Sequence, residues 1–272
     1  MAQIATTYDP VLLKKQLLRF SLLLFACGLV SSRPRQACEV KVLSFNMHHG
    51  VNKWGQPNLR DIVKLIEDHK PDIVALQAVD SVLENGKVNH QLRRLAVQAG
   101  MHYIYAASDN LSNGSHGVGI LSRWPFANTQ KTSLPHSPGA DPRVMVCGLV
   151  SPVKGLTFRI CTVRMEYASV FDRALQSAYV NHVLEPSIQP VLLAMDMGAR
   201  PNEQPYFSYH ANWIDAAKGS YLPTWTEGIS GDRLDYLMVL KNTRVRVKSY
   251  KVVRDYPNIS DHYPILADFE FW

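Results

Sequence analysis

Asn258-Ile259-Ser260-Asp261-His262-Tyr263-Pro264 runs directly into Ile265-Leu266-Ala267-Asp268-Phe269. A Ser-Asp-His triplet therefore meets an alternating apolar strand at its N-terminal mouth, where a sheet offers a ligand site. The imidazole of His262 can give or take a proton near neutral pH, and Asp261 can fix its tautomer or hold a metal-bound water. Alone, such a pair is an ordinary solvated loop; its meaning depends on partners upstream.

Those partners lie on a chain that alternates strand and helix from Glu39 onward. Val40, Val42 and Phe45 interleave with polar positions as a strand ending in Asn46-Met47-His48-His49-Gly50. Read as adjacent strand residues, His48 and His49 point to opposite sides. Asn58 is placed to cap a helix carrying Leu59, Ile62, Val63 and Ile66, which stops before Pro71. Asp72–Gln77 is short and nearly all apolar, as a buried strand is. A second helix spans about Gln91 to Ala99. Strands follow around Tyr103 and over Gly117–Ser122, Asn128–Leu134, Arg143–Val150 and Thr157–Val163. Ser169 opens a third helix with Phe171, Ala174, Leu175, Ala178 and Tyr179 at its apolar positions. Val191–Ala194, Leu234–Leu240, Arg244–Val253 and Ile265–Phe269 complete the strands. Many strands with a few amphipathic helices imply two packed sheets with helical outer layers.

The chain has 272 residues, 46% of them apolar, enough for one full core. Its net charge of +6 is concentrated at the start, since residues 1–38 hold five of the 29 basic residues and one acid. The remaining 24 basic and 22 acidic residues balance at +2, so the body gives no independent sign of a polyanion partner. Lys14, Lys15 and Arg19 precede an apolar run from Phe20 to Val30 and then Ser31-Ser32, a pattern of export or anchoring. The run is short for a membrane span; an amphipathic helix associating with a membrane through residues 11–32 is the other reading. Two segments are expected, 1–38 as targeting or anchor sequence and 39–272 as the domain. Cys147 and Cys161 fall in consecutive strands and could face each other, and the absence of Cys-x-x-Cys excludes that type of zinc site.

In order along the chain, the strand ends resemble one family. Leu43-Ser44-Phe45-Asn46-Met47-His48-His49-Gly50 is similar to its first motif and Pro71-Asp72-Ile73-Val74-Ala75-Leu76-Gln77-Ala78-Val79-Asp80 to its second. Gly117-Val118-Gly119-Ile120-Leu121-Ser122-Arg123 resembles its middle strand, and Arg233-Leu234-Asp235-Tyr236 and Ser260-Asp261-His262 its last two motifs. This is the endonuclease/exonuclease/phosphatase superfamily, with the deoxyribonuclease I-like fold, and the resemblance covers about residues 39–272. It implies an α/β four-layer sandwich of two packed, mainly antiparallel sheets flanked by helices, hydrolysing phosphoesters with Mg²⁺ or Mn²⁺. By the same resemblance His262, Asp196, Asp235 and Asp261 are the catalytic positions. Asn46 orients a metal ligand and the phosphate, and Arg143 matches a phosphate-facing arginine.

Three positions depart from the family. After Gln77 the family has its main metal-binding Glu, where Ala78 stands here. The family's Thr-His-Leu becomes Thr162-Val163-Arg164, and its Gly-Asp-Phe-Asn becomes Met195-Asp196-Met197-Gly198. Mg²⁺ takes oxygen ligands, often only one or two carboxylates, so losing Glu removes much of its protein charge. Arginine is no proton shuttle and repels a metal; Arg164 is expected to pair with Asp235 or to clamp a phosphate. Asp80, on the face of Ala78 if the strand continues, could join Asp261 and Asn46 as a substitute ligand. Two functions follow. One is a pseudoenzyme, a binding or structural subunit with a protein partner and no cofactor. The other is an active Mg²⁺- or Mn²⁺-dependent phosphodiesterase or phosphatase with a rewired site, acting on a phosphoester or nucleic acid.

Overall fold

A computed structural model describes residues 37–84, 87–111, 114–226, 231–241 and 244–272. The segment expected to target or anchor the chain lies outside the described residues, except for Ala37 and Cys38. Among the described residues, no helix is long and apolar enough to cross a membrane.

The first sheet uses β1 (Cys38–Asn46), β2 (Ile73–Glu84), β3 (Lys87–His90), β4 (His102–Leu111) and β5 (Gly114–Ser122). The second begins with β6 (Ala127–Ser133), β7 (Val144–Val153), β8 (Leu156–Arg164), β9 (Val191–Asp196), β10 (Trp213–Asp215) and β11 (Asp235–Leu240). The chain then returns to the first sheet with β12 (Val245–Val252) and β13 (Ile265–Phe271). The first sheet has the order β12-β13-β1-β2-β5-β4, with β3 hairpinned onto β2, and the second the order β10-β11-β9-β8-β7-β6. Each sheet contains one parallel pair, β1 with β2 and β8 with β9, and is otherwise antiparallel. A parallel pair requires a crossover. Helix α1 (Leu59–His69) supplies it in the first sheet and α3 (Val170–Leu184) in the second; α2 (Gln91–Ala99) and α4 (Gln204–Phe207) complete the α-helices among the described residues.

Strand alternation sorts side chains into three cores. Val40, Val42, Ile73, Ile120, Phe158, Ile160, Leu192 and Phe269 fill the space between the sheets. Leu43, Phe45, Leu76 and Val79 face the other way, against Ile62, Leu65, Leu92 and Leu95 of α1 and α2. Behind the second sheet, Val163, Met195 and Tyr236 pack with Val180 and Leu184 of α3. The result is the expected helix–sheet–sheet–helix sandwich. Cys147 and Cys161 are direct cross-strand partners and form a disulfide within the third core.

Several local readings need correction. Asn58 precedes α1 but makes no side-chain cap. Its buried amide donates instead to the carbonyls of Met47, Val51 and Ile259, tying the loop after β1 to the loop before β13. His48 and His49 are not strand residues, because β1 ends at Asn46 and both lie in a tight turn at positive φ, 49° and 58°. In α3 Ser169 does cap, accepting from Asp172 N–H. The helix, however, buries Asp172, Arg173, Gln176 and Ser177 and leaves Phe171, Leu175 and Tyr179 exposed. Strand β2 runs to Glu84, well past Gln77, and bulges between Leu76 and Val79.

Candidate functional site

Both parallel pairs end at the same rim, and ligand sites in such sheets form beyond the carboxyl ends of parallel strands. In the second sheet Arg164, Asp196 and Asp235 stand side by side in one row across β8, β9 and β11. Their chain neighbours Val163, Met195 and Tyr236 belong to the outer core, so this row faces the space between the sheets. Asn46, at the end of β1, faces it from the other side.

Asp196 is the hub. Its Oδ2 accepts a 2.8 Å hydrogen bond from Asn46 Nδ2 and lies 3.5 Å from Arg164 Nε. Its Oδ1 accepts from the Gly198 N–H at 3.2 Å. Arg164 thus pairs with Asp196 and not with Asp235, as the family's missing imidazole had suggested. Asp235 is already engaged, with Oδ2 2.8 Å from Nδ1 of His262. Thr224 Oγ1 accepts the N–H groups of Leu234 and Asp235 and fixes the start of β11. The Ser260 hydroxyl lies 2.8 Å from the Asn46 carbonyl and accepts from His262 N–H, which locks the Ser-Asp-His loop onto the end of β1.

Burial opposes charge on the His262 imidazole, but the carboxylates of Asp235 and Asp196, the hydrogen bond to Asp235 and the nearby Asp261 together outweigh it, pushing its pKa up to about 9. Burial also raises the Asp235 carboxyl, while the imidazole pulls it down; we assign the proton to His262 because the Asp235 and Asp196 carboxylates both act on its ring. Asp235 Oδ1 is buried without a hydrogen-bond partner, as is Arg164 Nε, so both retain capacity toward an incoming group.

The structure brings Asn46, Arg164, Asp196, Asp235 and His262 together. Asp261 stands at the edge, with Oδ1 3.7 Å from His48 Nδ1. Arg143, matched by resemblance to a phosphate-facing arginine, is buried and bound through Nε and Nη2 to Glu166 Oε2, at 3.2 and 3.0 Å. Asp80 is held by His49 Nδ1 at 2.8 Å. Regular alternation does not carry over from Ala78, which sits at the bulge with φ +53°. Asp80, Asn46 and Asp261 consequently have separate partners. Glu166, Thr224, Gln77 and His116 escaped the sequence reading. Gln77 bridges the sheets, donating to Ser44 Oγ and Thr162 Oγ1. Only the reading of β2 as sheet-interior gave any hint of that.

A hard cation would find few free donors here. Among the described residues, the three ligand-type groups gathered within 4.8 Å of one another are Asp196, Asp235 and His262. Asp196 accepts the Asn46 amide and faces the Arg164 guanidinium, and His262 is tied through Nδ1 to Asp235. Ala78, buried with its methyl group in a cleft also lined by His116, Arg143 and Arg164, offers no oxygen. These residues do not fit a Mg²⁺ or Mn²⁺ ion as the family binds one.

Comparison with known proteins agrees with the architecture. The chain is 26% identical over 254 residues to the uncharacterized protein YbhP of Escherichia coli K12, covering 86% of this chain and 97% of YbhP. An endonuclease/exonuclease/phosphatase family protein from Bacteroides thetaiotaomicron superposes with a TM-score of 0.71 at 19% identity, over 87% of this chain and 99% of that one. The mannosyl-6-phosphatase Bt3783 of B. thetaiotaomicron does so with a TM-score of 0.68 at 18% identity, over 85% and 99%. The model of the Endonuclease/Exonuclease/phosphatase family matches residues 43–262, from the middle of β1 to the imidazole that closes the site. With that span and the two-sheet sandwich beneath it, the chain belongs to the endonuclease/exonuclease/phosphatase family.

Proposed function

We propose that this chain binds phosphoester groups at the inter-sheet rim and has lost efficient metal-dependent hydrolysis, acting as a binding subunit. One observation carries the reading: the Arg164 guanidinium is paired with Asp196, while Ala78 stands at the family's metal-ligand position. Members of the family act on phosphoester or nucleic-acid substrates and typically use a divalent metal. Here the fixed cations are Arg164 and His262 imidazolium. They can hold a phosphate by charge-assisted hydrogen bonds, with Asn46 orienting Asp196 beside it. Neither positive group generates a nucleophile from water.

We expect turnover of bis-p-nitrophenyl phosphate and plasmid DNA in Mn²⁺ at least about a hundredfold below that of a family member with the full set, the typical worth of one positioned acid or base. The triple variant Ala78→Glu, Arg164→His, Gly198→Asn should gain metal affinity and turnover, with little from any single change, because such groups act as a unit. Position 198 tolerates the change. Its φ is +62°, a conformation asparagine adopts more readily than most residues, and a Cβ there meets nothing closer than 3.6 Å. A second reading, an active rewired enzyme, is favoured by the intact Asp235–His262 pair, in which His262 is placed to donate a proton. Robust wild-type turnover abolished by His262→Ala would establish it and overturn the first.

We also propose export. The Cys147–Cys161 disulfide supports it, since such bonds persist in oxidising compartments, as does the basic-then-apolar run ending at Val30. Intact mass of native material should show loss of about the first thirty residues or an added lipid; a full-length, unlipidated mass would argue against it.

A further inference from the structure

Three loops around the rim carry large apolar side chains in the open. Trp54, in the loop after β1, is 66% exposed. Tyr167 in the loop after β8 and Phe171 in the first turn of α3 are 66% and 70% exposed. Tyr221 and Leu222, between β10 and β11, are 72% and 49% exposed. All three loops leave the sheets at the end where Asn46, Arg164 and Asp235 stand, because β1 and β8 finish there and β11 starts there. Single apolar side chains scattered over a surface need no explanation, but a set gathered about one opening marks an interaction surface.

Each loop is tied to the site it borders. The Lys53 N–H donates to the Asn258 carbonyl, which sets Trp54 beside the Ser-Asp-His loop. The Tyr263 N–H donates to the Thr224 carbonyl, and Arg254 Nη2 to the Pro223 carbonyl, so Tyr221 and Leu222 are fastened to that same loop. The Tyr167 ring centre lies 5.8 Å from the guanidinium carbon of Arg143, which lines the cleft at Ala78 together with Arg164. The apolar tips are thus held around the place where a phosphoester would sit.

We infer that this rim docks onto a phospholipid bilayer through Trp54, Phe171, Tyr221 and Leu222, and that the phosphoester it takes is a lipid headgroup. The inference rests on the phosphoester-binding reading above. Trp and Tyr pair an apolar body with a polar tip, the combination favoured at a membrane–water boundary, and Phe171 and Leu222 supply the purely apolar contact with the acyl layer. A single-stranded nucleic acid also offers phosphates and takes aromatic platforms, but it binds in a positively charged groove. Here the arginines Arg143, Arg164, Arg200 and Arg233 face Glu166, Asp196, Asp232 and Asp215 at 3.0, 3.5, 2.7 and 2.6 Å. With that pairing, and a net charge of only +2 beyond residue 38, the rim suits a zwitterionic headgroup such as phosphocholine better than a polyanion.

Tryptophan quenching on the full-length chain tests the inference at the loop itself, whatever the N-terminal segment does. The emission of Trp54 is the difference between wild type and Trp54→Phe. It should be quenched by phosphatidylcholine vesicles brominated near the headgroup, at about tenfold less lipid than by galactolipid vesicles, which carry no phosphate. Phe171→Ser or Leu222→Ser should each raise the lipid needed for half-quenching about tenfold, the usual worth of burying one such side chain. Arg164→Ala should remove the preference for the phospholipid. Trp54 left unquenched, equal quenching by both vesicles, or a Trp54 response to oligothymidylate in place of lipid would each overturn the inference. Calorimetry with soluble glycerophosphocholine separates the two readings. If the headgroup binds while Trp54 stays unquenched, only bilayer docking fails; if the headgroup does not bind, the phosphoester site fails and the docking inference with it.

Discussion

At the scale of single residues, one proton decides much. The His262 pKa is raised from 6.5 to about 9 beside the Asp235 carboxylate. A raised folded-state value contributes stability that is fully present below about 6.5 and is lost as pH rises through about 9. Denaturant midpoints measured from pH 6.5 to 9.5 should therefore fall in wild type. In Asp235→Asn, which keeps an acceptor and removes the charge, the slope should largely vanish. An unchanged slope would place the proton elsewhere. The identities of Asp196, Asp235 and His262 were legible in the sequence through the resemblance of their strand-end motifs to the family's. Their partners were not, because pairing depends on which strands adjoin: Arg164 meets Asp196 only because β8 lies beside β9 in matched register.

Among the elements, α3 shows what hydropathy patterning misses. Phe171, Leu175 and Tyr179 face outward, and apart from Val180 and Leu184 near its end the helix is docked by polar contacts. Gln176 Oε1 accepts from the Glu166 N–H and its Nε2 donates to the Pro135 carbonyl. Arg173 donates to the carbonyls of Glu166 and Tyr167, while Asp172 accepts from Ser137. The helix is fastened to the loop that carries Glu166, the residue that holds Arg143. Gln176→Leu, similar in size, leaves a buried donor and a part-buried acceptor unpaired and should destabilise by about 2–6 kcal/mol, each unpaired group costing about 1–3. Chemical denaturation checks this; a loss under 1 kcal/mol would mean water or a rearrangement satisfies them. The bulge at Ala78 was equally hidden. Nothing in a run of apolar residues marks where one extra residue enters a strand, yet that insertion turns Asp80 toward the cleft.

For the whole molecule, many strands with a few amphipathic helices pointed to packed sheets, and the resemblance carried by the ordered motifs implied the four-layer sandwich. Strand order adds a mechanical point. β1 is flanked by β2 on one side and by β13, the last strand, on the other, with Cys38 opposite Phe271. A chain ending at Val253 lacks β13, exposes an edge of β1 and strands β12 without a partner, and also loses His262. We expect it to be recovered as aggregate or to lack a cooperative unfolding transition; a soluble, cooperatively melting fragment would show that the inner strands suffice. Synthesis runs from the N-terminus, so β1 leaves the ribosome more than 200 residues before its second neighbour exists. The second sheet is contiguous in sequence from β6 to β11 and waits for nothing. Its disulfide-linked hairpin can therefore form while the first sheet is still half open, and the nascent chain carries an unpaired strand edge until β13 emerges. A holding chaperone or a slow release step would act in that interval.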